Sequence, residues 1–198
     1  MKPLVFLLAV SACGVLAVSA CGGTSQPVVS SSSSGSGLAA WETVRSVLQH
    51  PRCQNCHPAG DQPLQGDDSH AHIQNVQRGP TGHGRVGEEC TTCHQLANAP
   101  SSYGPHAPPG VSTGWRMPTA EQPLVFVGRS SRDLCLQLRD PAANGGKDFP
   151  ALRHHLDDPL VTWGWTPGGS RVPVPVPRPQ FLAAFETWLA AGAPCPAP

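Results

Sequence analysis

The sequence predicts a mainly α-helical domain with extensive irregular structure, its short helices packed around two large apolar bodies that the polypeptide does not itself supply. Three observations lead there. A five-residue unit occurs twice, as Cys53-Gln54-Asn55-Cys56-His57 and as Cys90-Thr91-Thr92-Cys93-His94. Gly and Pro number 21 and 23 of 198 residues while charged residues make up only 13%, so turns and extended segments dominate and a protein-only core would be thin. Apolar residues recur at helical spacing only in short stretches, most clearly from Trp41 to Leu48 and from Phe181 to Leu189.

Cys-x-x-Cys-His is the attachment signature of a c-type haem. Two thiols one helical turn apart add to the two vinyl groups of one porphyrin, and the following imidazole ligates the iron from the proximal side. The expected cofactors are therefore two covalently attached haem c groups, one on Cys53 and Cys56 with His57 as proximal ligand, the other on Cys90 and Cys93 with His94. Two porphyrins would fill the thin core, which makes the expected fold a small dihaem c-type cytochrome and the haem-free chain largely unfolded. A secreted zinc-binding protein is the alternative for paired cysteines. The separation of Cys56 from Cys90 is longer than the usual ribbon spacing, however, and zinc does not explain a His directly after both pairs. A redox dithiol would want a thioredoxin-like βαβ pattern around one motif, which the sequence lacks.

Residues 1–21 read as an export signal: Met1-Lys2 is a short positive start and Leu4 to Val18 an apolar run. It closes on Val18-Ser19-Ala20-Cys21-Gly22, which resembles the bacterial lipobox, and Cys21 is the expected lipidation site. Val10-Ser11-Ala12-Cys13 also fits, and an ordinary signal peptide or an uncleaved anchor stays open. Residues 22–37, Gly- and Ser-rich with Ser30 to Ser34 unbroken, read as a flexible tether. Residues 38–198 are the expected dihaem cytochrome c domain. The anticipated localisation is an exported lipoprotein anchored to a membrane and facing the periplasm, with inner or outer membrane undetermined.

Within that domain a helix is expected from Leu38 to Gln49, with Trp41, Val44, Val47 and Leu48 on one face. Pro51 ends it or starts the turn that carries the first motif. Residues 58–89 form a long polar connection, and a short helical turn from Cys90 to Leu96 should carry the second motif. Residues 100–128 are irregular. Ser130 to Asp133 has a capping-box pattern and opens a helix that Asp140-Pro141 and Asn144-Gly145-Gly146 stop. A further helix from Asp148 to about Asp157 holds Pro150 in its first turn and ends at Pro159. The Val/Pro alternation from Val172 to Pro179 dictates polyproline II. The last helix, Gln180 to Ala191, carries Phe181, Leu182, Phe185, Trp188 and Leu189 as one apolar stripe.

Of eight cysteines, four belong to the motifs and two to the leader, which leaves Cys135 and Cys195. In an oxidising compartment two such thiols pair, so a Cys135–Cys195 disulfide is expected, with two buried free thiols as the alternative. The sixth iron ligands are less determined. His83 and His50 rank first, because each shortly precedes a haem motif and could reach the neighbouring haem. His72 and Met117 follow, and His70, His106, His154 and His155 complete the set. Spare His far outnumber Met, which favours bis-His haems of low potential.

Formal charge is zero and no basic stripe suggests nucleic acid. Asp67-Asp68 and Glu88-Glu89 flank the motifs in sequence, either as an acidic rim that steers a basic redox protein or as a solvated loop surface. Two six-coordinate irons would make the protein an electron carrier and not an enzyme. An open coordination position would make it a small haem enzyme or sensor.

Further blocks surround the motifs: His50-Pro51-Arg52-Cys53 through His57-Pro58, Gln65-Gly66-Asp67, Gly82-His83-Gly84, Cys90 through His94-Gln95, Asp140-Pro141 with Asn144-Gly145-Gly146, Leu160-Val161 with Trp163-Gly164-Trp165, Pro167-Gly168 and Cys195-Pro196. Through them, over roughly residues 40 to 196, the chain resembles a small family of exported dihaem proteins labelled isoquinoline 1-oxidoreductase subunit. The resemblance implies a cytochrome that accepts electrons from a molybdenum hydroxylase of N-heterocycles and passes them toward a respiratory chain. The resemblance does not extend to the lipobox start.

Overall fold

Short local signals build the helices, and tertiary packing sets their ends. The computed structural model describes residues 31–198, so the leader, Cys21 and the first part of the tether lie outside the described residues. Helix α1 spans Ser31–Leu48, α2 Pro51–Gln54, α3 Ser131–Arg139, α4 Phe149–His155, α5 Pro159–Thr162 and α6 Arg178–Ala190. Strands are two residues long and form two antiparallel hairpins, β1 (Leu64–Gln65) with β2 (His70–Ala71) and β3 (Gly84–Arg85) with β4 (Glu88–Glu89). The fold is mainly α and partly irregular, as expected. Among the described residues no helix is long and apolar enough to cross a membrane.

One helical face of α1 meets one of α6. Trp41, Val44 and Val47 are buried on α1, and Phe181, Phe185 and Trp188 on α6. Each such side chain contributes about 1.5–3 kcal/mol through burial. The indoles of Trp41 and Trp188 lie 5.1 Å apart between centroids, with Phe149 of α4 edge-on to Trp188 at 5.9 Å. Both indole N–H groups are satisfied: Trp41 Nε1 donates to Ser131 Oγ at 2.9 Å and Trp188 Nε1 to the Pro194 carbonyl at 3.0 Å. Cys135 of α3 and Cys195 form a disulfide, which pins the tail after α6 to α3 and closes a long loop, worth about 4 kcal/mol in the chain-entropy account.

Local chemistry also explains the helix starts. Ser130 accepts from the Asp133 N–H at 3.1 Å, and Asp148 accepts from the Ala151 N–H at 2.8 Å, with Pro150 in the first turn.

Several boundaries differ from the sequence expectation. Helix α1 begins at Ser31, so residues 31–37, read from composition as tether, are helical. Gly37 is buried, and a Cβ there would stand 2.6 Å from Ala191 Cβ and 2.7 Å from Pro194 Cγ. The glycine thus allows close contact with the end of α6, which offsets weak local propensity. Pro159 opens α5 at its first position instead of merely ending α4, since Asp158 caps that turn by accepting from the Leu160 N–H at 2.8 Å. Around the second motif only Cys90–Thr92 form a 3-10 turn, with no helix to Leu96. The connection 58–89 carries both hairpins, in place of a featureless loop.

The irregular half is held by side chains reaching across it. Arg78 is 1% exposed and donates to the carbonyls of Gly60 at 2.7 Å, Pro118 at 3.2 Å and Thr119 at 3.2 Å. Gly82 has φ +82°, and a Cβ on it would fall 2.1 Å from the Met117 carbonyl oxygen. Its own carbonyl accepts from the Met117 N–H at 2.8 Å. The two loops can therefore lie back to back only with glycine at this position.

Candidate functional site

The first motif sits on a single turn and its continuation. His50 caps α2, its Nδ1 accepting from the Arg52 N–H at 3.2 Å. Backbone bonds from Cys56 N–H to Cys53 (3.2 Å) and from His57 N–H to Gln54 (3.0 Å) carry the turn forward. The two sulfurs are thereby one turn apart, as addition to one porphyrin requires. His57 then projects from the end of the turn. Its Nδ1 donates to the Leu124 carbonyl at 2.8 Å, and its ring stacks on Phe126 with centroids 4.0 Å apart and planes at 15°. A carbonyl only accepts, so the proton resides on Nδ1 and Nε2 keeps its lone pair. Burial pushes the His57 pKa down to about 3, so the imidazole is neutral throughout the physiological range.

Beside this turn lies a cavity of about 470 Å³, lined by Cys53, Cys56 and His57. Its apolar wall comes from the helical core, including Val44, Leu138, Phe181 and Phe185. Three further lining residues carry side chains able to ligate a metal, His83, Met117 and His155. Arg116 and Lys147 also line it, offering cations to any carboxylates a ligand brings. An apolar chamber with two thiols and a free imidazole nitrogen at one edge and cations at hand fits a covalently bound haem.

Burial pushes the Cys53 thiol up to about 12 and the Cys56 thiol up to about 11. After burial, the largest influence on Cys56 is Cys90, so the two motifs are near neighbours in space.

The second motif repeats the imidazole geometry in other surroundings. The His94 N–H bonds back to the Cys90 carbonyl at 2.9 Å. Its Nδ1 donates to the Pro109 carbonyl at 2.8 Å, and its ring stacks on Trp115 at 4.7 Å with planes at 8°. Nε2 is again left as the basic nitrogen, and burial lowers the pKa here as well. Cys90, Cys93 and His94 are not among the residues lining the cavity. Cys93 is exposed, and large apolar side chains in the segments around this motif face outward: Leu96 is 68% exposed and Ile73 72%.

The sequence candidates for the sixth ligand separate clearly. His83 and Met117 both line the first cavity, the former with Nδ1 3.1 Å from the Thr81 carbonyl and the latter buried. His155 joins them from the end of α4. His50 serves as the α2 cap and does not line the cavity. His72 lies beside His94, their ring centroids 6.3 Å apart. His70 pairs with Asp68 at 2.6 Å, while His106 and His154 are exposed. Of the acidic pairs, Asp67 is taken up by Arg52.

The aromatic shelves Phe126 and Trp115, and the carbonyls of Leu124 and Pro109, escaped sequence reasoning. They belong to irregular segments without periodicity, and backbone carbonyls leave no mark in a sequence. Compared with known proteins, the chain matches no family model, no curated protein and no solved structure.

Proposed function

We propose that this protein is a dihaem c-type cytochrome that carries electrons on the periplasmic side of a bacterial membrane, tethered through a lipid on Cys21. The observation that carries the reading is the matched treatment of the two motif histidines. In each, Nδ1–H is fixed on a backbone carbonyl at 2.8 Å and the ring is stacked on an aromatic side chain. This is the arrangement that presents a neutral, oriented Nε2 to a metal. A haem bound at each motif supplies a one-electron iron couple. The protein's part is to anchor, orient and shield, which His57, His94 and the thiols are placed to do.

Competing uses of the cysteines gain less. A structural zinc site asks for four protein ligands, and among the described residues no group of three or more His, Cys, Asp or Glu comes together. A porphyrin brings four nitrogens of its own and needs only one or two from the protein. A redox dithiol needs a lowered thiol pKa, whereas Cys53 and Cys56 are pushed upward. The nearness of the two motifs suits electron exchange between their cofactors. The electron donor we propose is a molybdenum hydroxylase, which only the family resemblance implies.

The test is protein matured with haem-attachment machinery. Intact mass and the pyridine haemochrome spectrum should report two thioether-linked haems per chain. A mass of polypeptide and lipid alone, with no Soret band, overturns the reading.

A further inference from the structure

The pairing of His94 with a second imidazole goes beyond electron carriage to the coordination of one particular iron, and it rests on the reading above. We infer that His72 is the distal ligand opposite His94, so that the second motif holds a bis-histidine haem at the protein surface.

Two imidazole nitrogens each about 2.0–2.1 Å from one metal ion place their ring centroids roughly 6 Å apart. The rings of His72 and His94 are 6.3 Å apart, with planes at 67°. An edge-to-face ring contact has the same spacing, so what singles the pair out is the state of the ring nitrogens. His94 has its Nδ1 committed to the Pro109 carbonyl, which leaves Nε2 for ligation. His72 is held from its backbone: its N–H donates to the Pro63 carbonyl at 3.0 Å, and its carbonyl accepts from Gln62 Nε2 at 2.9 Å and from the Asn75 N–H at 2.9 Å. Its imidazole, by contrast, has a buried Nδ1 with no hydrogen-bond partner. A fixed backbone with an unspent buried ring nitrogen is what a ligand position leaves when the metal is not counted.

The hairpin of β1 with β2 explains how a residue well before the motif arrives there. Leu64 pairs with Ala71, and His72 follows directly on the returning strand. His83, the nearer residue in sequence, is instead turned to the wall of the first cavity. His70, two residues earlier on the same strand, is spent on Asp68.

The test compares fully matured wild-type protein with His72→Ala, His72→Met and His70→Ala. Covalent haem is counted by mass in each. His72→Ala should show one new high-spin ferric haem per chain and bind one more equivalent of carbon monoxide on reduction than the wild type. His72→Met should stay low-spin, with the midpoint of one haem raised, since a thioether ligand raises the potential relative to imidazole. His70→Ala should match the wild type. Two attached haems with unchanged spin state and carbon monoxide stoichiometry in His72→Ala, or an unchanged midpoint in His72→Met, overturn the pairing and leave the cytochrome reading intact. Absence of covalent haem in the wild type overturns both.

Discussion

The two Cys-x-x-Cys-His motifs carry the same chemistry in opposite surroundings. The first is built into the helical core, its thiols and imidazole opening on a chamber walled by α1, α3 and α6. The second sits on a 3-10 turn among loops, with Cys93 exposed and Leu96 largely in solvent. On the proposed reading local sequence would dictate the covalent unit and the proximal imidazole, while position in the fold dictates how much water reaches each motif. A haem iron in low dielectric resists the extra charge of the ferric state, so the chamber favours a higher potential than the surface. Two midpoints are expected, with the higher one assigned to the first motif.

The largest expected effect separates the motifs by what their cofactors support. A cofactor on the first motif would fill a chamber of about 470 Å³ walled by the helical core, whereas the second motif lines no part of that chamber. Replacing Cys53 and Cys56 together by Ser should therefore abolish cooperative thermal unfolding, followed by circular dichroism. Replacing Cys90 and Cys93 by Ser should leave the helical melt in place and remove only the lower midpoint. Equal damage from both pairs would break the comparison.

The shelves under the proximal imidazoles sharpen it next. Phe126→Ala removes a buried ring and should destabilise by about 3–5 kcal/mol in denaturant titration. Trp115 is only half-buried, and Trp115→Ala should destabilise less while altering the spectrum of the second haem. Opening the Cys135–Cys195 bridge with paired Ala substitutions should lower stability by about 4 kcal/mol and leave both Soret bands unchanged, because the bridge braces the core behind the first chamber.

A further effect is one of pH. Burial holds the His57 pKa near 3 in the folded chain, against about 6.5 when unfolded. Below pH 6.5 the unfolded state binds the extra proton, so stability falls as pH drops from about 6.5 towards 3 and levels off beneath that. The shift at His94 has the same sign. Because the second motif is the more exposed of the two, an acid titration of the haem-loaded protein followed in the Soret region should disturb its haem first.

The helical half was largely legible in the sequence. The stripes at Trp41 to Leu48 and Phe181 to Leu189, the caps at Ser130 and Asp148, and the Cys135–Cys195 bridge all follow from periodicity, local hydrogen bonding and cysteine arithmetic. The start of α1 at Ser31 was not legible, because it depends on how closely Gly37 approaches Ala191. The loop half was hidden for a similar reason. Nearness to a motif ranked His83 and His50 together as distal candidates; His83 lines the cavity of the neighbouring motif whereas His50 caps α2, and what separates them is loop paths set by long-range contacts such as those of Arg78, which carry no local pattern. That His83, Met117 and His155 all line the cavity beside the first motif is decided in the same way, by the fold and not by their distance along the chain.

One guanidinium ties much of the loop half together. Arg78 joins the segment at Gly60 to the segment at Pro118 and Thr119, and no strand ladder does the same job between them. Lysine offers a single point of donors and cannot span three carbonyls. Partial opening of the molecule should accordingly begin here, with residues near 60 and 118 exchanging their amide hydrogens together while α1 and α6 stay protected. The loop half would then act as a latched door on a helical frame.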